Sequence, residues 1–456
     1  MNLQRGVRAR ILFGIAANAL GRFWVLLLQL LAVPVLTWKW GAHGYGLWLM
    51  ITAVPSYIAM SDFGFGTAAA ADMTQSVAMG DRLSAVNVFQ STWTLLVLVL
   101  SVVVVVALGA WLFVPPLSRF LDVSQSESPR LSAALLALLI YSIFSVQMNV
   151  ISAGYRCTQN YALGTLLQEG LLPIEGLTLI VVVLLGGGIF PAAASMAVIR
   201  VTGCVIYYLI LRRSNPWLYL GIGHSSFTEI RRLAAPALSA LGVTLSLALS
   251  LQGVILALGF FGGPAVAGLF GAARTIARAP LQLVTLFSRA TLPEMGIAFA
   301  RRDAHMITRL VALNVAALAA VAAPAAVVLA LWGQSMLKLL SHRSLSAPPW
   351  LFTLLAVSLV LQAGWNAVSQ ILFATNKQQR IAAPYAILAL LTVLSPAVTQ
   401  RSNALLAVSL TGCVADGLML VLVGAISWSE IVVLLTAEAL PDVGSLKRFV
   451  ARVRGL

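Results

Sequence analysis

Charge is scarce in this chain, and negative charge is the scarcest. Of 456 residues only 9% are charged, with 14 Asp and Glu against 29 Lys and Arg. A soluble domain carries about 25% charged residues. Here 60% of the residues are hydrophobic and the mean hydropathy is +0.95, more apolar surface than a soluble globule of this length can hide. A soluble enzyme, a nucleic-acid binder and a secreted scaffold are therefore excluded, and the solvent is a bilayer. Cysteine is nearly absent too. Cys157, Cys204 and Cys413 have no close spacing, which excludes a disulfide framework and a metal motif. His43, His224, His305 and His342 fall in separate loops or ends, with no carboxylate at i+3 or i+4. No base, nucleophile and metal are assembled for an integral-membrane enzyme. The longest connection, 212–233, leaves no room for an extramembrane catalytic domain.

Apolar runs are what the chain has in abundance. A transmembrane helix needs about 20 mostly apolar residues. Twelve runs qualify: 13–37, 44–66, 86–112, 131–153, 164–186, 191–211, 234–259, 265–291, 310–333, 349–374, 382–399 and 403–426. The first follows Arg5, Arg8 and Arg10 and has no small-residue cleavage site, so it reads as a retained helix. With both termini inside, the cytoplasmic segments hold eighteen Lys and Arg and the outer loops six, which supports that orientation. Segment 428–456, bracketed by Glu430, Glu438 and Asp442, reads as an interfacial amphipathic helix.

The chain also repeats itself. At an offset of 222, Gly41, Gly46, Leu47 and Trp48 align with Gly263, Gly268, Leu269 and Phe270. The same offset aligns Asp81 with Asp303. Helix two is thereby placed on helix eight and helix three on helix nine. The expected fold is all-α: two parallel six-helix lobes, 1–215 and 216–427, around a central cavity. Repeats related by an axis along the membrane normal are a transporter plan, with the substrate site at their interface.

The opening third carries specific residues: Asn18, Gly21-Arg22, Pro34, the run Gly41 to Trp48 (GAHGYGLW), and Ser61 to Gly66 (SDFGFG). In these it resembles the Wzx-type oligosaccharide flippases of the multidrug/oligosaccharidyl-lipid/polysaccharide (MOP) exporter superfamily. The resemblance implies a two-lobed transporter of the bacterial inner membrane. Its cargo would be undecaprenyl-pyrophosphate-linked oligosaccharide, moved from the cytoplasmic to the periplasmic leaflet for surface polysaccharide synthesis. Besides this polyprenyl-linked cargo and membrane lipids, it implies a polysaccharide polymerase and chain-length proteins as partners. It implies no resident cofactor, only proton or sodium coupling.

Five arginines fall inside the spans. An ionised side chain near the bilayer centre costs about 2.5–3.5 kcal/mol on insertion scales, so it is kept for a partner or a water-filled cavity. Arg274, Arg278 and Arg289 share one face of helix eight, since each residue advances about 100°. The repeat maps these positions to Thr52, Ser56 and Thr67 on helix two. A cavity between helices one, two, seven and eight would collect Arg22, Arg274, Arg278 and Arg289 with Thr52 and Ser56. Guanidinium suits a pyrophosphate because its planar donors bind oxygens in pairs. Arg200 is expected at the depth of Glu175, as a structural ion pair. Asp416, with no basic neighbour on helix eleven, and Asp62 are the candidates for carrying a coupling ion. Pro34, Pro55, Pro236 and Pro280 interrupt helices one, two, seven and eight, as hinges of a transport site would. Two other functions remain open on these residues: a multidrug extruder of the same fold, and a membrane-embedded glycan polymerase or ligase.

Overall fold

A computed structural model describes residues 2–60, 65–113, 127–232, 246–301, 303–375, 377, 379–399 and 403–439. Within them the regular structure is helical throughout. The helices are α1 (Asn2–Met60), α2 (Phe65–Ala78), α3 (Arg82–Phe113), α4 (Ser128–Cys157), α5 (Tyr161–Leu184) and α6 (Ile189–Ser214). They continue with α7 (Ser246–Gly262), α8 (Pro264–Arg301), α9 (Ala304–Leu340), α10 (Pro349–Ala374), α11 (Gln379–Leu394) and α12 (Ala404–Ala439). Only backbone that satisfies its own hydrogen bonds survives in hydrocarbon, which is why the apolar runs become helices. Nine helices among the described residues are long and apolar enough to cross a membrane. One of the nine stretches, Phe23–Ile58, covers parts of the first two predicted spans. The arginine-bearing α8 is not among them, and α7 is shorter. Leu98, Val102, Val105 and Leu331 stand exposed on the outer faces, where lipid is the solvent.

The repeat has a structural counterpart at three places. Gly41 (φ 67°) breaks α1 into two arms, and Gly263 (φ 97°) separates α7 from α8. Both lie in the left-handed region that glycine enters without a Cβ penalty. Asp303 Oδ1 accepts from the Met306 amide at 2.9 Å, and Asp81 Oδ1 accepts from the Ser84 amide at 2.9 Å. Each carboxylate thus caps the helix that follows, a contact worth about 1 kcal/mol. Finally, Gly46 on α1 meets Gly268 on α8. A Cβ at Gly46 would overlap the Pro264 carbonyl, and one at Gly268 would overlap the Ala42 carbonyl and the Gly46 backbone. Small residues are what let two helix backbones come this close.

One hydrophobic core runs through both halves at this junction. It joins Trp48 and Ile51 of α1 and Leu138 of α4 to Leu258 of α7, Phe270 of α8 and Phe352 of α10. A second core (Phe89, Ile151, Tyr155, Tyr207, Leu211) belongs to the first half, and a third (Trp365, Leu372, Met419) to the second.

Several boundaries differ from those expected. The predicted second span ended at 66, but α2 carries the path on to Ala78. α12 continues unbroken to Ala439, into the segment expected to be interfacial, and residues 440–456 lie outside the described residues. Glu430 lies within that helix and accepts from both Lys377 and Arg380, the latter at 2.7 Å. Its charge is matched by Lys377 of the α10–α11 connection and Arg380 of the first turn of α11. The predicted seventh span is described only from Ser246 onward, and Pro236 lies outside the described residues. Within α7, residues Leu249–Gly253 form a π turn.

Candidate functional site

Three polar features lie at membrane depth. The first is between the halves. Gln282 Nε2 of α8 donates to Gln29 Oε1 of α1 at 3.1 Å, and the pair is exposed. Both residues lie inside predicted spans. An exposed amide there would be costly against hydrocarbon, so water is expected beside it. Sequence reasoning missed this pair, because a neutral amide within an apolar run gives little signal. Cysteine at Gln29 or Gln282 is expected to react with a charged, membrane-impermeant maleimide. Cysteine at Val102 or Val105 of α3, 62% and 67% exposed, is expected to stay unlabelled under lipid. Equal labelling at all four positions would remove the aqueous cleft.

The second feature is a cavity of about 80 Å³ within the second half, walled by α7, α8, α10, α11 and α12. Arg274, Arg278 and Asp416 all line it. Arg274 and Arg278 share a face, as the helical arithmetic requires, but the face points into this half and not between the halves. Arg274 donates to the Leu251 carbonyl at 3.0 Å and the Ser250 carbonyl at 2.9 Å. Those carbonyls belong to the π turn of α7, where regular helix bonding is interrupted. Asp416 accepts from the Ser358 hydroxyl at one oxygen and from Trp365 Nε1, at 3.2 Å, at the other. Its basic neighbours come from α8, a pairing that the search of helix eleven could not find. Thr52 and Ser56 do not line this cavity. The Thr52 hydroxyl donates to the Trp48 carbonyl at 2.8 Å, and Ser56 donates to the Thr52 carbonyl, the usual way a helix absorbs a hydroxyl in apolar surroundings. The side chains of Arg22 and Arg289, and all of Asp62, lie outside the described residues.

The third feature is in the first half. Arg200 Nη2 of α6 lies 2.6 Å from Glu175 Oε2 of α5, and both side chains are buried. The Tyr141 hydroxyl of α4 donates to Glu175 Oε2 at 3.1 Å and accepts from Arg200 Nη2 at 2.7 Å. The Arg200 guanidinium also sits 4.7 Å from the centre of the Tyr141 ring. Three helices are joined here by one charged cluster. Tyr141 could not have been named from spacing, since it is one of many aromatics in apolar runs.

No family model matches the chain, and no curated protein matches it. Solved structures do. An inward-facing conformation of a multidrug resistance MATE family transporter of the MOP superfamily superposes with a TM-score of 0.74 at 15% identity. That match covers 90% of this chain and 96% of the other. An outward-facing conformation of a multidrug resistance MATE family transporter gives a TM-score of 0.58 at 15% identity, over 91% and 96%. A MOP superfamily transporter from Pyrococcus furiosus, described by a binding pocket of reverse polarity that suggests a different function, gives 0.60 at 14% identity, over 93% and 94%. The expected all-α membrane fold is thus observed: the described residues are helical, and the chain is a multi-pass membrane protein with the fold of the MATE transporters of the MOP superfamily.

Proposed function

We propose that the chain is a transporter of the inner membrane, termini cytoplasmic, that carries polyprenyl-pyrophosphate-linked oligosaccharide from the cytoplasmic to the periplasmic leaflet by alternating access. The fold supports transport, since its structural neighbours are transporters. The observation that supports an anionic cargo is the charge on the two helices that meet across the halves. α1 contains Arg5, Arg8, Arg10, Arg22 and Lys39 and no acid. α8 adds Arg289 and Arg301 against the single acid Glu294, besides Arg274 and Arg278, which face the cavity of the second half. A field of one sign beside a water-bearing cleft attracts the opposite charge, and guanidinium pairs well with pyrophosphate oxygens. A cationic drug would want acids and aromatic faces there.

The structural neighbours described as multidrug transporters favour a second reading, drug extrusion on the same fold. One experiment separates the two. The purified chain is placed in proteoliposomes with labelled undecaprenyl-pyrophosphate-linked oligosaccharide, and in parallel with a fluorescent cationic dye. We expect lipid-linked oligosaccharide to change leaflet and the dye not to be pumped. Arg22→Ala and Arg289→Ala are expected to slow translocation by about tenfold each, the effect of one lost charge-assisted contact. Dye transport without oligosaccharide movement would overturn the proposal.

A further inference from the structure

Between α8 and α12 the second half encloses more positive charge than it neutralises. Two guanidinium groups, Arg274 and Arg278, share the cavity with one carboxylate, Asp416. An arginine side chain stays charged in proteins. Arg274 is committed to the Ser250 and Leu251 carbonyls. Asp416 accepts from Ser358 and Trp365 and has no ion pair among the described residues. Arg278, half-buried, has no hydrogen bond or ion pair among the described residues, and neither has the amide of Gln362 on α10, which lines the same cavity. An unpaired charge and an idle donor facing one partly open pocket favour a ligand of opposite charge there.

We propose that this cavity is a binding site for one small monovalent anion, of chloride or carboxylate size, held by Arg278 with Gln362 beside it. Size and charge set the ligand class. About 80 Å³ admits a few waters or one such ion. Drug-sized ligands need roughly 300 Å³ or more, so neither a drug nor an oligosaccharide fits. The excess of one positive charge is cancelled by one monovalent anion. A cation entering the same space would face two guanidinium groups against a single carboxylate. The site is therefore distinct from the cleft at Gln29 and Gln282, and it holds whatever the transported cargo is.

The test uses the purified full-length chain in detergent and follows its thermal unfolding by tryptophan fluorescence. Gluconate is replaced stepwise by chloride at constant ionic strength and constant sodium. A bound ion raises the unfolding temperature in a saturable way. Chloride is expected to do so, acetate likewise, and gluconate, too large for the cavity, not at all. Arg278→Gln is expected to weaken the chloride half-saturation by about tenfold or more. Asp416→Asn, which removes the competing negative charge, is expected to tighten it, and this arm decides the matter should Arg278→Gln fail to fold. An unfolding temperature that ignores chloride, or an undiminished response in Arg278→Gln, would overturn the site. So would a response that follows sodium against choline at fixed chloride. No lipid-linked cargo is present, so the result is independent of the flippase reading.

Discussion

Arg200→Ala is expected to destabilise the protein by about 3–5 kcal/mol, because it strands the Glu175 carboxylate in the interior of the first half. The pair is almost fully out of solvent, with side-chain exposures of 6% and 3%. Glu175→Ala should lose a similar amount, leaving a guanidinium with only the Tyr141 hydroxyl and ring. The intact pair is itself imperfect, since Glu175 Oε1 and Arg200 Nε find no hydrogen-bond partner among the described residues. A half-satisfied buried charge cluster contributes little net stability. The double variant Arg200→Met, Glu175→Leu is therefore expected to lie within about 1 kcal/mol of the parent, since apolar replacement of a whole buried pair is often neutral. Unfolding in detergent mixtures, run on the parent, Arg200→Met, Glu175→Leu and the double variant, measures the coupling. Single losses that simply add in the double variant would show that the two residues act separately.

That pair illustrates what was legible in the residues and what was not. Arg200 and Glu175 could be matched because adjacent helices joined by a short turn near Gly186 run antiparallel, and depth follows from counting. The repeat was legible for the same reason: Gly41 with Gly263 and Asp81 with Asp303 are local backbone requirements, written in single residues. For Arg274 and Arg278, helical periodicity assigns a common face but says nothing of which helices stand opposite it. Asp416 was read against helix eleven, its neighbour in the chain, while its charged neighbours arrive from α8, more than 130 residues earlier. Glu430 was taken as the edge of a membrane segment, because its matching Lys377 and Arg380 come from the start of α11 and the residues just before it. In each case the missing information is which helices pack side by side, and an apolar run that suits lipid suits a neighbouring helix equally well.

Packing between the halves also predicts how the protein changes state. Gly268→Val on α8 is expected to force the two halves apart at the Gly41 and Gly263 end. The added side chain would meet the Ala42 carbonyl and the Gly46 backbone, and backbone atoms cannot rotate away as a side-chain tip can. Trp38 of α1 and His342, after α9, also meet across the halves at this end, with ring centres 5.9 Å apart, so the separation has a direct readout. Overpacking costs about 1–3 kcal/mol. Placed on one state of the proposed alternating-access cycle, it acts as a bias on the equilibrium, and each 1.4 kcal/mol is a tenfold shift in populations. Spin labels at Lys39 and Leu339, both exposed here, are expected to show a short distance in the parent and a longer one in Gly268→Val. Gly109→Val on α3 is the control, since a Cβ there meets nothing within 4 Å and should leave the distances unchanged. A folded Gly268→Val protein with the parent's distance distribution would mean that the halves do not pivot at the Gly46–Gly268 contact. Transport would then have to proceed without opening that face.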